Sequence, residues 1–476
     1  MNRRTFVGSG LFVWGVSRFA AAAAADQAHN DNMRMDLPLP DIPNFCTHEH
    51  WGSIASFGHV PGGFRADAVA GAAPQRRTTL IDILVDPYLG GCLHAAGVDA
   101  DAIMRRNLGV DVSQAGLNDI AAAMSALRPI LKPHQLTGTY QCIRKGILKA
   151  YAVDISTADA NATGRLDATI GRNYQNVFAW YKRLMQQANF SELIRPVHPE
   201  YYIEKDSDES AATERSFTHT VMRIDPFMDL WKKDSARRRR LTEMAGVEPT
   251  DATSWRHFLD SIFQTAAEGG ALGIKQLQAY SRDLNFQPRN DSTVRFSGDL
   301  NADEARTFED WVVHECCKRA HDRRWVHQVH LGTHNLPHSN PLALQHLARR
   351  YGRQKIVMLH CWPFIDESGW LARHVSNMYI DTCWQPVLNP EFLRKSLRLW
   401  LNYVPADKIS MGNDATSIEM ALGSSYFGRS ILSEALQYVS DTAGLTKNAR
   451  LQIASDILHN NAVDIYGVGK RLEMRV

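Results

Sequence analysis

Three observations predict an α/β fold of the (β/α)8 TIM-barrel type for this 476-residue chain. Eight short β-prone segments recur along it, most of them separated by stretches of helical periodicity. Residues able to bind metals or carry protons fall at the C-terminal tips of those segments, the rim on which barrel enzymes build their sites. No glycine-rich phosphate or dinucleotide loop follows the first segment, which argues against an open doubly wound sheet. The composition agrees. With 44% apolar and 22% charged residues, disorder, a coiled-coil rod and a small disulfide-stapled module are excluded. A formal net charge of +2 speaks against a nucleic-acid binder built on bulk positive charge.

In chain order, residues 1–25 read as a secretory leader: Arg3-Arg4-Thr5-Phe6, a short apolar stretch, then an alanine run ending at Ala25. The adjacent arginines have the form of a twin-arginine signal, so the expected destination is the periplasm or the exterior. The apolar stretch is far shorter than the ~20 residues of a membrane-spanning helix, so membrane contact is expected only during export. Residues 26–41 form an extended lead-in, and 42–476 are assigned to one barrel domain. The first strand precedes His48. Residues 52–77 look like a loop, and helical periodicity is expected over 78–96, 111–126 and 166–189. A barrel needs about 250 residues, so the stretch from about 52 to 189 is expected to be a large, mainly helical insertion after strand 1.

The remaining strands are expected at 192–197, 220–224, 271–276, 325–330, 355–360, 377–381 and 408–411, with helices at 254–267, 305–319, 342–350 and 390–401. The link between the sixth and seventh strands is the shortest and the weakest candidate for a helix. The arginine run at 237–240 is expected to be a solvated helix face. Seven cysteines, an odd number without a CxxC pair, predict small buried hydrophobes rather than a disulfide framework.

The chemistry lies at the strand ends. His48 and His50 are two apart, which in an extended segment puts both rings on one face and turns Glu49 away. Lys275 ends strand 4, His330 strand 5 and His360 strand 6, while Asp414 follows strand 8. Imidazole and carboxylate are ligands that a divalent ion such as zinc prefers. A single histidine among 19 would mean little, but four histidines and an aspartate in consistent order at strand ends point to a metal centre. Arg223 and Asp225 end strand 3; the arginine would either clamp a substrate carboxylate or brace the mouth against Asp225. Trp51, Trp362, Asp381 and Trp384 are placed on the rim, where the indoles would stack on a ring or simply pack. His334 and His338 are expected in the loop after strand 5.

This pattern resembles the amidohydrolase superfamily, nearest to its amidohydrolase-2 and uronate-isomerase-like branch. The ending Asp456-Ile-Leu-His-Asn-Asn-Ala-Val-Asp-Ile-Tyr466-Gly also resembles the closing helix of that branch, which packs under the barrel. The resemblance implies that His48, His50 and Asp414 bind one metal and that His330 and His360 complete a second position. It implies one or two divalent ions, zinc first and manganese second. Lys275, a cation beside metals, would be neutral, turned away, carboxylated into a bridging carbamate, or directed at a substrate carboxylate. His360 would ligate metal or touch substrate.

The function expected from this is an exported metal-dependent hydrolase that uses metal-activated water on a small amide, ester or lactone. Asp414 would carry the proton, with His360 and Arg223 at the substrate. The alternative is an isomerase or decarboxylase/lyase of a small sugar or aromatic acid on the same site. A scaffold barrel without catalysis would have let some of these ligand positions erode. A small-molecule partner, no nucleic acid and a homo-oligomer are the accompanying expectations.

Overall fold

The computed structural model describes residues 39–52, 77–98, 117–202, 215–232, 234–332 and 335–473. The leader and most of the lead-in, the loop over 53–76, residues 111–116 and His334 therefore lie outside the described residues. Eight parallel strands follow one another in sequence order: β1 (Asn44–Cys46), β2 (Phe190–Val197), β3 (Thr218–Arg223), β4 (Ala271–Gln276), β5 (Val326–His330), β6 (Ile356–Leu359), β7 (Met378–Asp381) and β8 (Ile409–Ser410). The sheet curls into a barrel. Between its first and last strands the seam is made just beyond their ends, where Asp414 N donates to His48 O at 2.8 Å and His50 N to Ala415 O at 3.1 Å.

Among the described residues, six helices separate β1 from β2: α1 (Leu80–Leu84), α2 (Pro87–Ala95), α3 (Leu117–Leu131), α4 (Gly138–Tyr151), α5 (Ala160–Gln175) and α6 (Val177–Ala188). Two expected single helices are in fact broken. Pro87 lacks an N–H and disfavours helical backbone in the residue before it, so α1 stops and α2 restarts with Asp86 as its N-cap. Asn176 leaves helical geometry at φ −125° and caps α6 instead of continuing α5. The helix expected over 111–126 is described from Leu117 and runs on to Leu131, past its expected end.

Around the barrel run α7 (Ala236–Ala245), α8 (Ala252–Glu268), α9 (Ala302–Arg323), α10 (Gln345–Arg350), α11 (Ile365–His374), α12 (Gln385–Leu388), α13 (Pro390–Tyr403), α14 (Ile418–Ala443), α15 (Lys447–Ser455) and α16 (Asn461–Tyr466). The short link between β6 and β7 does hold a helix, α11. One expectation needs correcting. The run 237–240 is not uniformly solvated, because Arg238 is only 2% exposed. It bonds Glu248 at 2.6 Å and the Pro249 carbonyl at 2.6 Å, so a long cation here braces the turn after α7.

The apolar interior divides into separate groups. The largest lies between the sheet and its outer helices. Within the barrel, Phe45, Ile194, Val221, Val326, Val357 and Leu359 pack together and are closed off by Ala462, Ile465 and Tyr466 of α16. Tyr466 also takes a hydrogen bond from Gln328 Nε2 at 2.6 Å, fixing the closing helix to the barrel interior. The insertion has a core of its own, to which Trp51, Trp384, Ala415 and Met420 of the rim contribute. Its docking is specific. Gly146 lets α4 approach α14 so closely that a Cβ there would lie 1.8 Å from the Glu419 carbonyl oxygen. The buried Glu419 carboxylate then accepts from Tyr151 Oη at 2.6 Å, Tyr174 Oη at 2.7 Å and Trp180 Nε1 at 3.0 Å. A buried acid with three donors ties the insertion to the start of α14.

Candidate metal centre

His48 and His50 lie in the extended segment beyond β1, anchored by the backbone bonds of the barrel seam and by Glu49 N donating to Ile194 O at 2.9 Å. Both rings turn to one carboxylate. His50 Nε2 is 3.0 Å and His48 Nε2 3.8 Å from Asp414 Oδ1. Glu49 does face away, accepting from Asn413 Nδ2 at 2.8 Å and Ala415 N at 2.9 Å. Burial pushes its carboxyl up to about 8.

The tautomer of His48 follows from its neighbour. Gln328 Nε2 donates to the Thr47 carbonyl at 2.9 Å and to Tyr466 Oη, so its amide oxygen faces His48 Nδ1 at 2.8 Å. That oxygen can only accept, so the His48 proton sits on Nδ1 and its Nε2 presents a lone pair. This Nε2 is buried and has no hydrogen-bond partner. An orphaned acceptor beside a carboxylate and a second imidazole is what a divalent cation satisfies. His48, His50 and Asp414 fit such an ion.

A second group shares the same aspartate. His360 Nδ1 is 3.5 Å from Asp414 Oδ2 and 3.3 Å from Cys383 Sγ. His330 is not a member of this group; its Nδ1 bonds His360 Nε2 at 2.9 Å from behind. Two triads of donors are thus present among the described residues, enough for one or two divalent ions. Burial alone would raise the Asp414 carboxyl, but His48, His50 and His360 together hold it well below the usual range. Burial also pushes His360 down to about 3 and Lys275 down to about 8. Burial, and after it the Lys275 charge, hold His48 well below the usual imidazole range.

The other predicted residues sort differently. Lys275 is buried at the end of β4, in register with Arg223 on one side and Gln328 on the other. Arg223 engages Asp225 through both Nε, at 3.1 Å, and Nη2, at 2.6 Å. Of the two roles open to it, the brace against Asp225 is the one formed. Asp381 lies in the barrel, accepting from Thr47, from Ser410 Oγ at 2.9 Å and from Cys383 N at 2.8 Å. Trp51 packs edge-on against Tyr181 and Trp362 stacks 3.9 Å from Phe392, so both serve packing. Trp384 alone borders the donors, 4.9 Å from the His360 ring. His338 pairs with Asn335 in the loop after β5. All seven cysteines are free thiols.

Three contributors were not among the predicted residues. Tyr88, on α2 of the insertion, donates to Asp414 Oδ1 at 3.1 Å. Gln328 positions His48. Cys383 follows Asp381 at the spacing that returns a strand to the same face, the one sequence signal that could have found it.

The backbone is strained where the donors sit. Seven described non-glycine residues have positive φ, and Ala152, Asn189 and Arg324 are helix C-caps. The other four are His360, Cys361, Trp384 and Asp414. Left-handed backbone at non-glycine residues clusters at functional sites. Gly412 adds a close approach: a Cβ there would lie 2.8 Å from Cys383 Cβ and 3.0 Å from His48 N.

A closed parallel barrel with histidines and an aspartate gathered at its C-terminal rim defines a metal-dependent enzyme of the amidohydrolase superfamily. The chain belongs to the amidohydrolase family, whose model matches residues 218–468, just over half of its length. No curated protein matches it by sequence. Among solved structures it is similar to a uronate isomerase from Thermotoga maritima, with TM-score 0.67 and 13% identity over 91% of this chain and 96% of that one. It is similar also to a glucuronate isomerase from Caulobacter crescentus, with TM-score 0.66 and 16% identity over 91% and 93%. A uronate isomerase from Bacillus halodurans gives TM-score 0.63 and 15% identity over 94% and 97%. At these identities the likeness is one of fold.

Proposed function

We propose that this protein is a metal-dependent isomerase or carbon–carbon lyase acting on a small acid, a sugar acid or an aromatic carboxylate. The observation that carries this is the company Asp414 keeps. It is a carboxylate held well below the usual range, flanked by imidazoles and hydrogen-bonded by the half-buried Tyr88. Moving a proton between carbon atoms needs one group to accept and a second to donate, and here the two share an oxygen. A divalent ion held by His48, His50 and Asp414 supplies a Lewis acid for a substrate oxygen. Asp414 takes and returns the proton, while Tyr88 steadies the oxygen it bonds. Trp384, 5.0 Å from Tyr88, helps the insertion exclude water.

The arginine fork of Arg223 is engaged by Asp225, so the cation assigned to a substrate carboxylate is Lys275. Its burial among these groups suits a point charge. Carboxylation of Lys275 is the competing role, and native mass spectrometry distinguishes the two. The fold shared with the uronate isomerases over 91–94% of this chain is one that houses such chemistry in those proteins. Hydrolysis of an amide, ester or lactone is the second reading, favoured by the family match. Export through a leader at residues 1–25 belongs to the proposal and is testable by sequencing the mature N-terminus.

The deciding experiment incubates zinc- or manganese-loaded protein with uronic acids and hydroxylated benzoates, and in parallel with lactones, esters and N-acyl amino acids. Keto-sugar or carbon dioxide formation that disappears on chelation is expected. Turnover confined to the lactones, esters and amides would overturn the isomerase or lyase assignment.

A further inference from the structure

We propose that His360, Cys383 and Asp414 hold a second, thiophilic divalent ion such as zinc, joined to the first through the two oxygens of Asp414 in a doubly loaded form distinct from the singly loaded one in which Asp414 carries the proton. This rests on the metal-dependent reading above and adds a sulfur ligand to it. The two oxygens of Asp414 face different donors: Oδ1 lies beside His48 and His50, and Oδ2 beside His360. Donors about 2.0–2.3 Å from a tetrahedral zinc stand about 3.3–3.8 Å from one another. The separations here are 3.3 Å from His360 Nδ1 to Cys383 Sγ and 3.5 Å from His360 Nδ1 to Asp414 Oδ2. All three residues are buried, which keeps water from competing for the position.

The surroundings are arranged for it. His360 Nε2 meets His330 Nδ1 at 2.9 Å, and with the proton on Nε2 its Nδ1 is a lone pair facing the thiol and the carboxylate. The opposite tautomer would donate Nδ1–H to the Cys383 carbonyl at 3.2 Å, and an ion selects the first form. Asp381 accepts from Cys383 N at 2.8 Å and from Gly412 N at 3.1 Å, fixing the backbone from which the thiol projects. On coordination the thiol proton leaves to solvent and the thiolate binds. Lys275 interacts electrostatically with both Asp414 and Cys383. Its ammonium opposes a second cation, so the second equivalent binds more weakly than the first.

The test is a cobalt(II) titration of the metal-free full-length protein, followed by absorbance and electron paramagnetic resonance. Two equivalents are expected. The second should bring a thiolate-to-cobalt charge-transfer band and magnetic coupling between the two ions. Cys383→Ser should abolish that band and weaken the second equivalent by more than about 100-fold while keeping the first. Lys275→Met should strengthen it by about tenfold. Coupling in the unaltered protein needs no variant to fold. A single equivalent, a second equivalent without a thiolate band, or a band that survives in Cys383→Ser would overturn the proposal. One ion with activity retained leaves the function above standing, whereas no bound ion removes both.

Discussion

The two sides of Asp414 are built by different means. On one side, His48 and His50 arrive two residues apart on one extended segment, and the barrel seam that passes through His48 O positions both. On the other, His360 and Cys383 come from the ends of two separate strands. His360 and Asp414 there adopt left-handed backbone, and Gln385 Nε2 holds the His360 carbonyl at 2.5 Å. A pair of donors encoded side by side needs only an extended backbone to converge. A pair assembled from different strands needs local strain and a set of supporting hydrogen bonds. The first side is the simpler to encode, and the second depends on the whole rim.

Substituting the shared carboxylate should disable both sides at once. Asp414→Asn is expected to lower turnover by about 10²–10⁴-fold and to release bound metal, with an unchanged circular dichroism spectrum. Near-normal turnover would show that the proton carrier lies elsewhere. Gln328→Leu should separate the sides. It removes the acceptor from His48 Nδ1 and is expected to weaken the first ion by about 10–100-fold by calorimetry, leaving the thiolate signature of the second intact.

A third change should leave both sides untouched. Asp86 caps α2, the helix that carries Tyr88, and accepts from Thr416 Oγ1 at 2.6 Å. Burial raises its carboxyl from 3.8 to about 6, so the folded state holds a proton that the unfolded chain has released. Stability therefore falls as pH rises between those two values, by up to about 3 kcal/mol, and is highest below them. Asp86→Asn should flatten that slope in thermal melts without altering metal stoichiometry. A slope that persists would assign it to another group.

Much of the fold could be read from the chain. The β4 boundaries at 271 and 276 match the periodicity, because a buried parallel strand is a short apolar run with little choice of register. Helix breaks were harder to read. Asn176 sits within continuous amphipathic spacing, and only the packing of α5 and α6 on different neighbours breaks the helix there. In the site, the His48-Glu49-His50 spacing and the strand-end aspartate were visible as patterns. Tyr88 was not: it lies 326 residues from Asp414, on a helix whose sequence says nothing of what its exposed turn will meet. Gln328 was equally hidden, since an amide within a strand carries no signature until its partners are in place.

The sequence alone determined the strand count, the helical insertion, the ligand types at the strand ends and the family resemblance, because each depends on periodicity or spacing within a few residues. The tertiary structure decided which donors share an ion. Distances between strand ends follow from barrel curvature and backbone strain, which no local pattern encodes. It set Cys383 at Nδ1 of His360 and His330 at its Nε2, engaged Arg223 with Asp225 and placed Tyr88 against Asp414.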